Sequence, residues 1–233
     1  MSEQETDVRT WPEVSGMRYL PMLDQMHDIL KPDWYLEVGT FRGRSLSLCR
    51  GNFVAVDPEF KLKAPMIPPS GRQMHFFQLT SDDFFASDFL QRNALTFQFA
   101  FLDGLHHYDA LLRDFIGAEK VMTKDGVIAL HDCCPTPVEM TSREMNGDLW
   151  TGDVWKTIKV LKTFRPDLEI DVTTARPTGL AIVRNLDPES RVLEEKYDRI
   201  IAEFDQIKLD ASSLDEYYAS FEVCTPRHVL TTL

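Results

Sequence analysis

Acidic and imidazole side chains gather where three apolar runs of this sequence end. Asp57 closes Asn52–Val56. Asp103 closes Phe97–Leu102 and leads into Gly104-Leu105-His106-His107-Tyr108, and His131-Asp132 closes Gly126–Leu130 ahead of Cys133-Cys134-Pro135. A fourth stretch, Glu37-Val38-Gly39-Thr40-Phe41-Arg42-Gly43-Arg44-Ser45, sets an acid and two glycines where a strand is expected to turn into a helix. Glycine lets a ligand approach the backbone closely and permits the positive dihedrals of a tight turn. The spacing is G-x-x-x-G, not the G-x-G-x-x-G of a dinucleotide pyrophosphate site, which speaks against a nicotinamide-dependent oxidoreductase. Asp57 lies 18 residues beyond Gly39, where a carboxylate ending the second strand can accept both hydroxyl protons of a ribose. Together these features point to a nucleoside site.

Such residues need elements to hold them. Apolar positions from Met17 to Leu30 recur at helical spacing, and Pro32 ends that helix. Short strands are expected at Trp34–Val38, Asn52–Val56, Met74–Leu79, Phe97–Leu102, Gly126–Leu130, Leu168–Val172 and Leu180–Val183. Residues 59–73, with Pro65, Pro68, Pro69 and Gly71, read as a loop. Helices are expected from Tyr108 to Met122, around Val154–Leu161, and from Pro188 to Leu209 with Leu193, Tyr197, Ile200, Ile201, Phe204 and Ile207 on one face. Strands alternating with helices argue for an α/β fold with a mainly parallel sheet, whose ligands sit beyond the carboxyl ends of the strands.

Composition bounds the partners. The 233 residues carry 43% hydrophobic side chains, enough for a buried core, and a net charge of −12. That field repels phosphate backbones and anionic bilayers, so neither nucleic acid nor membrane is an expected partner. The N-terminus has no basic segment followed by an apolar one, and no apolar run approaches membrane-spanning length. Cys49, Cys133, Cys134 and Cys224 show no CxxC spacing and read as reduced thiols of a cytoplasmic protein.

Over residues 16–185 the chain resembles the class I S-adenosylmethionine-dependent methyltransferases. Glu37–Ser45 resembles that family's first motif, and Val56-Asp57-Pro58 its ribose-binding acid motif. The resemblance implies a Rossmann-like, doubly wound, mainly parallel seven-stranded sheet with an antiparallel last strand. It implies a three-part chain: an arm at 1–15, the domain at 16–185 and a C-terminal helical extension at 186–233. The implied cofactor contacts are Glu37, Gly39, Thr40, Gly43, Ser45, Asp57 and Asp103, with Ser81 and Asp82 after the third strand in the position of adenine contacts. Asp103-Gly104-Leu105-His106-His107-Tyr108 resembles the D-G-x-H-x-Y stretch of small-molecule and sugar O-methyltransferases of the macrocin type. In related enzymes acids at the positions of Asp103 and Asp132 hold magnesium. A third oxygen ligand usually follows there; here Cys133 stands in its place, a poor partner for a hard cation. With His131 as substitute ligand, the set Asp103, His131 and Asp132 suits magnesium less than manganese, iron or zinc.

The implied activity is O-methylation of a small polar acceptor, a sugar or natural-product hydroxyl, with metal assistance. An alcohol must lose its proton, and a neutral imidazole suits that task, so His106 is the first candidate base, with His107 and His131 behind it. Asp103 would orient cofactor, imidazole or metal. Residues 135–149, with Arg143 and Glu144, make a loop long enough to gate the acceptor. Trp150-Thr151-Gly152-Asp153-Val154-Trp155 reads as an acceptor lid with a polar handle, or as an Asp153 helix cap beside a core Trp155. The tail helix covers the core or pairs with a second copy, a homodimer being the expected assembly. The alternative function is a metal-dependent hydrolase or hydroxylase on the same fold using Asp103, His131 and Asp132. A protein that keeps the nucleotide fold without turnover is a further reading.

Overall fold

The computed structural model describes residues 14, 16–63, 71–145, 147 and 150–233. The expected N-terminal arm, apart from Val14, and part of the expected loop at 59–73 lie outside the described residues. The sheet is built from β1 (Trp34–Val38), β2 (Asn52–Val56), β3 (Met74–Phe77), β4 (Phe97–Leu102), β5 (Met122–His131), β6 (Glu169–Thr173), β7 (Leu180–Arg184) and β8 (Val223–Cys224). Their order is β3-β2-β1-β4-β5-β7-β6-β8. Only β7 runs against its neighbours β5 and β6; all other pairs are parallel. This is the expected Rossmann-like sheet with one strand more. The tail supplies the eighth, which pairs Val172 with Val223 and Thr173 with Cys224 on the exposed edge of β6.

The near-continuous apolar strands are buried on both faces, as a parallel core requires. In β4, Ala100 and Leu102 enter one core layer while Phe99 and Phe101 enter the other. The second layer is closed by α1 (Tyr19–Leu30) through Met22, Leu23 and Met26, and by α9 (Pro226–Leu230) through Val229. The first is closed by α2 (Ser81–Ala86), α3 (Phe89–Asn93), α4 (Tyr108–Glu119), α5 (Trp155–Phe164), α6 (Val192–Glu195), α7 (Tyr197–Phe204) and α8 (Ala211–Ala219). No helix among the described residues is long and apolar enough to cross a membrane, and all four cysteines are free.

Several elements differ from the sequence expectation. The helix expected after Gly39 is only a 3-10 turn, Leu46–Leu48. Gly39, Phe41 and Gly43 all take positive φ (85°, 44° and 70°), so the first half of the β1–β2 connection is spent on turns. The helices α2 and α3 carry no signal beyond Thr80, whose hydroxyl caps α2 by accepting from the Asp83 N–H at 3.1 Å. The expected helix from Pro188 to Leu209 forms as α6 and α7, separated at Lys196, whose dihedrals of −102° and 5° are not helical. Leu193, Ile200 and Phe204 nevertheless point into the core as the apolar spacing predicts.

Strands β1 to β3 build outward on one side and β4 and β5 on the other. The carboxyl ends of β2, β1, β4 and β5 therefore meet along one edge, at the point where the strand order reverses.

Candidate active site

The first wall of the site is the turn after β1. Gly39 donates its N–H to Val56 O at 2.9 Å, and a Cβ built on it would fall 1.9 Å from Asp103 O, so only glycine brings the β1 turn this close to the β4 turn. Glu37 is fully buried below. Tyr35 donates its hydroxyl to Glu37 Oε2 at 2.7 Å, whereas Oε1 and the buried Thr40 Oγ1 make no well-formed hydrogen bond. Burial pushes the Glu37 carboxyl up to about 8, opposed by the neighbouring hydroxyls of Tyr35, Ser45 and Thr40. Glu37, Thr40 and Ser45 thus converge on one polar pocket, with two buried oxygens open to a partner. Gly43 shapes the turn through a 2.7 Å bond from its N–H to Thr40 O.

Asp57 ends β2 in the anticipated place. Its Oδ2 accepts from the Phe41 N–H and its Oδ1 from the Glu59 N–H, both at 2.7 Å. Each oxygen keeps a second lone pair for a ligand, so the carboxylate ties down the β1 turn and remains able to hold a diol. Ser81 opens α2. Asp82 beside it is drawn off: Arg113 donates to both its oxygens, at 2.8 and 3.1 Å.

The second wall gathers the acids and imidazoles. Asp103 Oδ1 lies 3.1 Å from His131 Nδ1 and 3.3 Å from His106 Nε2. Asp132 approaches the same imidazoles, Oδ1 at 3.2 Å from His131 Nδ1 and Oδ2 at 3.2 Å from His106 Nδ1. Asp132 is held with φ of 62°, a strained conformation for a residue with a side chain, and accepts a short hydrogen bond from the Thr178 hydroxyl. Asp103, His131 and Asp132 offer ligand atoms all within 4.8 Å of one another, and the buried His131 Nε2 has no partner among the described residues. Two carboxylates and an imidazole form a mixed oxygen and nitrogen donor set that fits a borderline divalent cation. Cys133 takes no part: its Sγ is fully buried and donates to Leu130 O and His131 O.

The charge state of this cluster corrects one expectation. His106 sits against both carboxylates, which outweigh its burial and push its imidazole up to about 9; His131 is raised as well. Asp103 is held below the usual carboxylate range: the two histidines outweigh the burial that opposes them. In the ligand-free protein His106 is therefore an imidazolium at neutral pH rather than the neutral base anticipated.

Other residues support this cluster: Tyr19, Tyr217 and Tyr218 carried no sequence signal, whereas the Trp150–Trp155 stretch is the anticipated lid or cap. Tyr19, at the start of α1, packs its ring 4.4 Å from the His131 ring. Trp150 stacks on His106 at 4.9 Å and accepts through its carbonyl at 2.9 Å from His106 Nδ1. A Cβ on Gly152 would fall 1.7 Å from His106 O, so the Trp150–Asp153 segment lies directly on the β4 turn. His107 points elsewhere, its Nε2 meeting Arg143 O at 3.0 Å. Asp153 caps α4 rather than its own helix, accepting from the Tyr108 N–H at 2.9 Å while pairing with Arg143 and Lys156; Trp155 is core. The tail reaches the site from behind: Tyr217 and Tyr218 on α8 donate their hydroxyls to Cys133 O at 2.9 Å and Pro135 O at 3.0 Å.

Residues 36–133, from within β1 to the turn after β5, match the family model described as a methyltransferase domain. Among curated proteins no match to the sequence was found. Among solved structures the chain is similar to the O-methyltransferase TomG from Streptomyces achromogenes, involved in tomaymycin synthesis and solved with SAM. The identity is 16% and the TM-score 0.55, with 74% of this chain and 82% of that chain covered. It is also similar to a Podospora anserina methyltransferase with bound SAH, at 13% identity and TM-score 0.52, covering 76% and 83% of the two chains. At such identities these likenesses speak to the fold, and they agree with the strand order described above. The acids of the site, from Glu37 to Asp132, all fall within the matched segment, so the chain carries a methyltransferase domain on a Rossmann-like fold and is an enzyme of the methyltransferase class.

Proposed function

We propose that the protein transfers a methyl group from S-adenosylmethionine to a hydroxyl of a small polar acceptor, of the sugar or natural-product kind. The observation that carries this reading is the pair of adjoining walls. Glu37 Oε1 and Thr40 Oγ1, buried without partners, suit the ammonium of an amino acid, and Asp57 suits a ribose. The acids and imidazoles of Asp103, His106, His131 and Asp132 stand immediately beside them across the Gly39 turn. The TomG likeness, to an O-methyltransferase of tomaymycin synthesis, supports a natural-product hydroxyl.

Bound S-adenosylmethionine supplies a methyl already activated on a sulfonium, so the protein mainly has to align an acceptor oxygen with it. An acceptor hydroxyl aligned with that methyl would have to give up its proton. Asp103 and His106 take that proton as a unit: the carboxylate accepts the hydroxyl hydrogen bond, and His106 is the base once it has lost its own proton. Trp150 stacked on His106 and Tyr19 packed on His131 flank the two imidazoles and limit their access to water. Asp103, His131 and Asp132 would hold a divalent cation, which would supply Lewis acidity to the acceptor hydroxyl.

Titration calorimetry with S-adenosylhomocysteine tests the first half of this reading; absence of a binding heat refutes it. Mass spectrometry of methylated products from a panel of hydroxylated sugars and phenols tests the second. His106→Ala is expected to lower turnover at least 10-fold while leaving S-adenosylhomocysteine affinity within about 3-fold, the scale of general base catalysis.

A further inference from the structure

The turn between β6 and β7 lies outside the matched segment and has no part in the chemistry above, yet it presses on the residues that end β5. Strand register explains why. β7 runs antiparallel to β5 with Leu180 opposite His131, so the residues before Leu180 are delivered to the turn that follows His131. Gly179 makes that contact close: its φ is 76°, and a Cβ built on it would fall 2.4 Å from Cys134 Sγ and 2.9 Å from Thr173 O. Thr178, 2% exposed, then holds the β5 turn at two points. Its carbonyl accepts the Cys134 N–H at 2.7 Å, and its hydroxyl donates to Asp132 Oδ1. The same turn also anchors the start of α1. Arg176 accepts the Tyr19 N–H through its carbonyl and donates its own N–H to Met17 O, both at 2.9 Å, and Tyr19 carries the ring that packs on His131.

We propose that Thr178 is a positioning residue for the cation site: its hydroxyl fixes the rotation of the Asp132 carboxylate and leaves Oδ2 as the oxygen offered to a divalent cation. This role rests on the reading of Asp103, His131 and Asp132 as that site. A carboxylate can turn about its Cβ–Cγ bond and exchange its two oxygens, and Asp132 cannot do so without breaking the bond from Thr178. Each oxygen has two lone pairs. Those of Oδ1 are spent on the Thr178 hydroxyl and on His131 Nδ1, 3.2 Å away, whereas Oδ2 meets only His106 Nδ1 at 3.2 Å among the described residues. The backbone makes the same demand. Asp132 at φ of 62° keeps its place only where the surroundings enforce it, and Thr178 supplies two of the enforcing contacts. A hydroxyl is also the right donor: unlike lysine or arginine, it orients the carboxylate without setting a positive charge beside the cation. Outer partners of this kind hold a ligating group in place, and losing one costs roughly 10- to 100-fold in metal affinity.

The test titrates Mn²⁺ into the full chain at neutral pH, reading the free ion by electron paramagnetic resonance, beside S-adenosylhomocysteine calorimetry on the same preparations. Thr178→Val keeps the shape of the side chain and removes the hydroxyl. It is expected to bind Mn²⁺ about 10- to 100-fold more weakly than wild type, with S-adenosylhomocysteine affinity held within about 3-fold. Thr178→Ser restores the hydroxyl and is expected to bind Mn²⁺ within about 3-fold of wild type. Thr178→Ala, which cannot crowd the turn, is expected to show the same loss as valine and serves if the valine variant does not fold. Mn²⁺ affinity near that of wild type without the hydroxyl overturns the proposal, and so does an equal loss in the serine variant. A fall of both ligands by the same factor makes Thr178 a clamp of the fold alone, and overturns it too. A wild type that binds S-adenosylhomocysteine but no Mn²⁺ overturns the cation reading of Asp103, His131 and Asp132, and this inference with it.

Discussion

Replacing Gly39 by alanine tests the claim that the β1 and β4 turns are pressed together to form the site. The new Cβ would stand 1.9 Å from Asp103 O and 2.7 Å from Gly104 N, backbone atoms that cannot swing aside as a side chain would. Ordinary van der Waals contact begins at 3.4 Å, so the turns must part by about 1.5 Å. That movement lengthens two 2.9 Å hydrogen bonds, from the Gly39 N–H to Val56 O and from the Asp103 N–H to Val38 O. Losing each inside the core costs about 1–2 kcal/mol. Holding alanine at φ of 85° adds strain of about 1–2 kcal/mol. Together the substitution is expected to destabilise the fold by about 3–6 kcal/mol and to carry Asp103 out of register with His106. Gly71→Ala is the control: its φ is 91° but nothing lies within 4 Å of a Cβ, so only the strain applies, about 1 kcal/mol. Urea unfolding of both variants, with unchanged slope, reads the difference directly. A Gly39→Ala protein within about 1 kcal/mol of wild type, or a Gly71→Ala protein equally damaged, would refute the close-approach argument.

Asp57→Asn keeps the shape of the β2 end but removes the charge that strengthens hydrogen bonds to a ribose. S-adenosylhomocysteine should bind about 10- to 100-fold more weakly in calorimetry, and an unchanged isotherm would remove Asp57 from the site. Arg165→Met should destabilise by about 3–5 kcal/mol in denaturant unfolding. It strands Glu119, whose two oxygens are held at 2.7 and 3.0 Å by the buried guanidinium and one of which also accepts from the Asp187 N–H at the start of the tail. Glu37, pushed up from 4.5 to about 8, keeps its proton in the folded state after the unfolded chain has released it. Ligand-free stability should therefore fall as pH rises from 4.5 towards 8, a slope that Glu37→Gln should flatten in thermal melts across that range. A slope unchanged by that substitution assigns the titration to another group.

The strand ends and their acids were legible from the residues alone because each is a local pattern. A short apolar run stops at Asp57, Asp103 or His131-Asp132, and a parallel sheet with apolar faces must bury those runs and bring their ends to one edge. The glycine turn was legible for the same reason. What the tertiary structure alone decided depends on residues that are remote in sequence. Arg113 takes Asp82 across 31 positions, and Thr178 holds Asp132 across 46. Tyr19 from the first helix packs on His131, and the α8 tyrosines support the Cys133 and Pro135 carbonyls from a segment beyond the matched domain. The protonation of His106 belongs to the same class. Its residue type says only that it titrates near neutrality, and the nearness of Asp103 on the same turn and of Asp132, set alongside it by β5, makes it a cation. Local chemistry writes the list of groups. Their pairing, and so their charge, follows from which strands the sheet sets side by side.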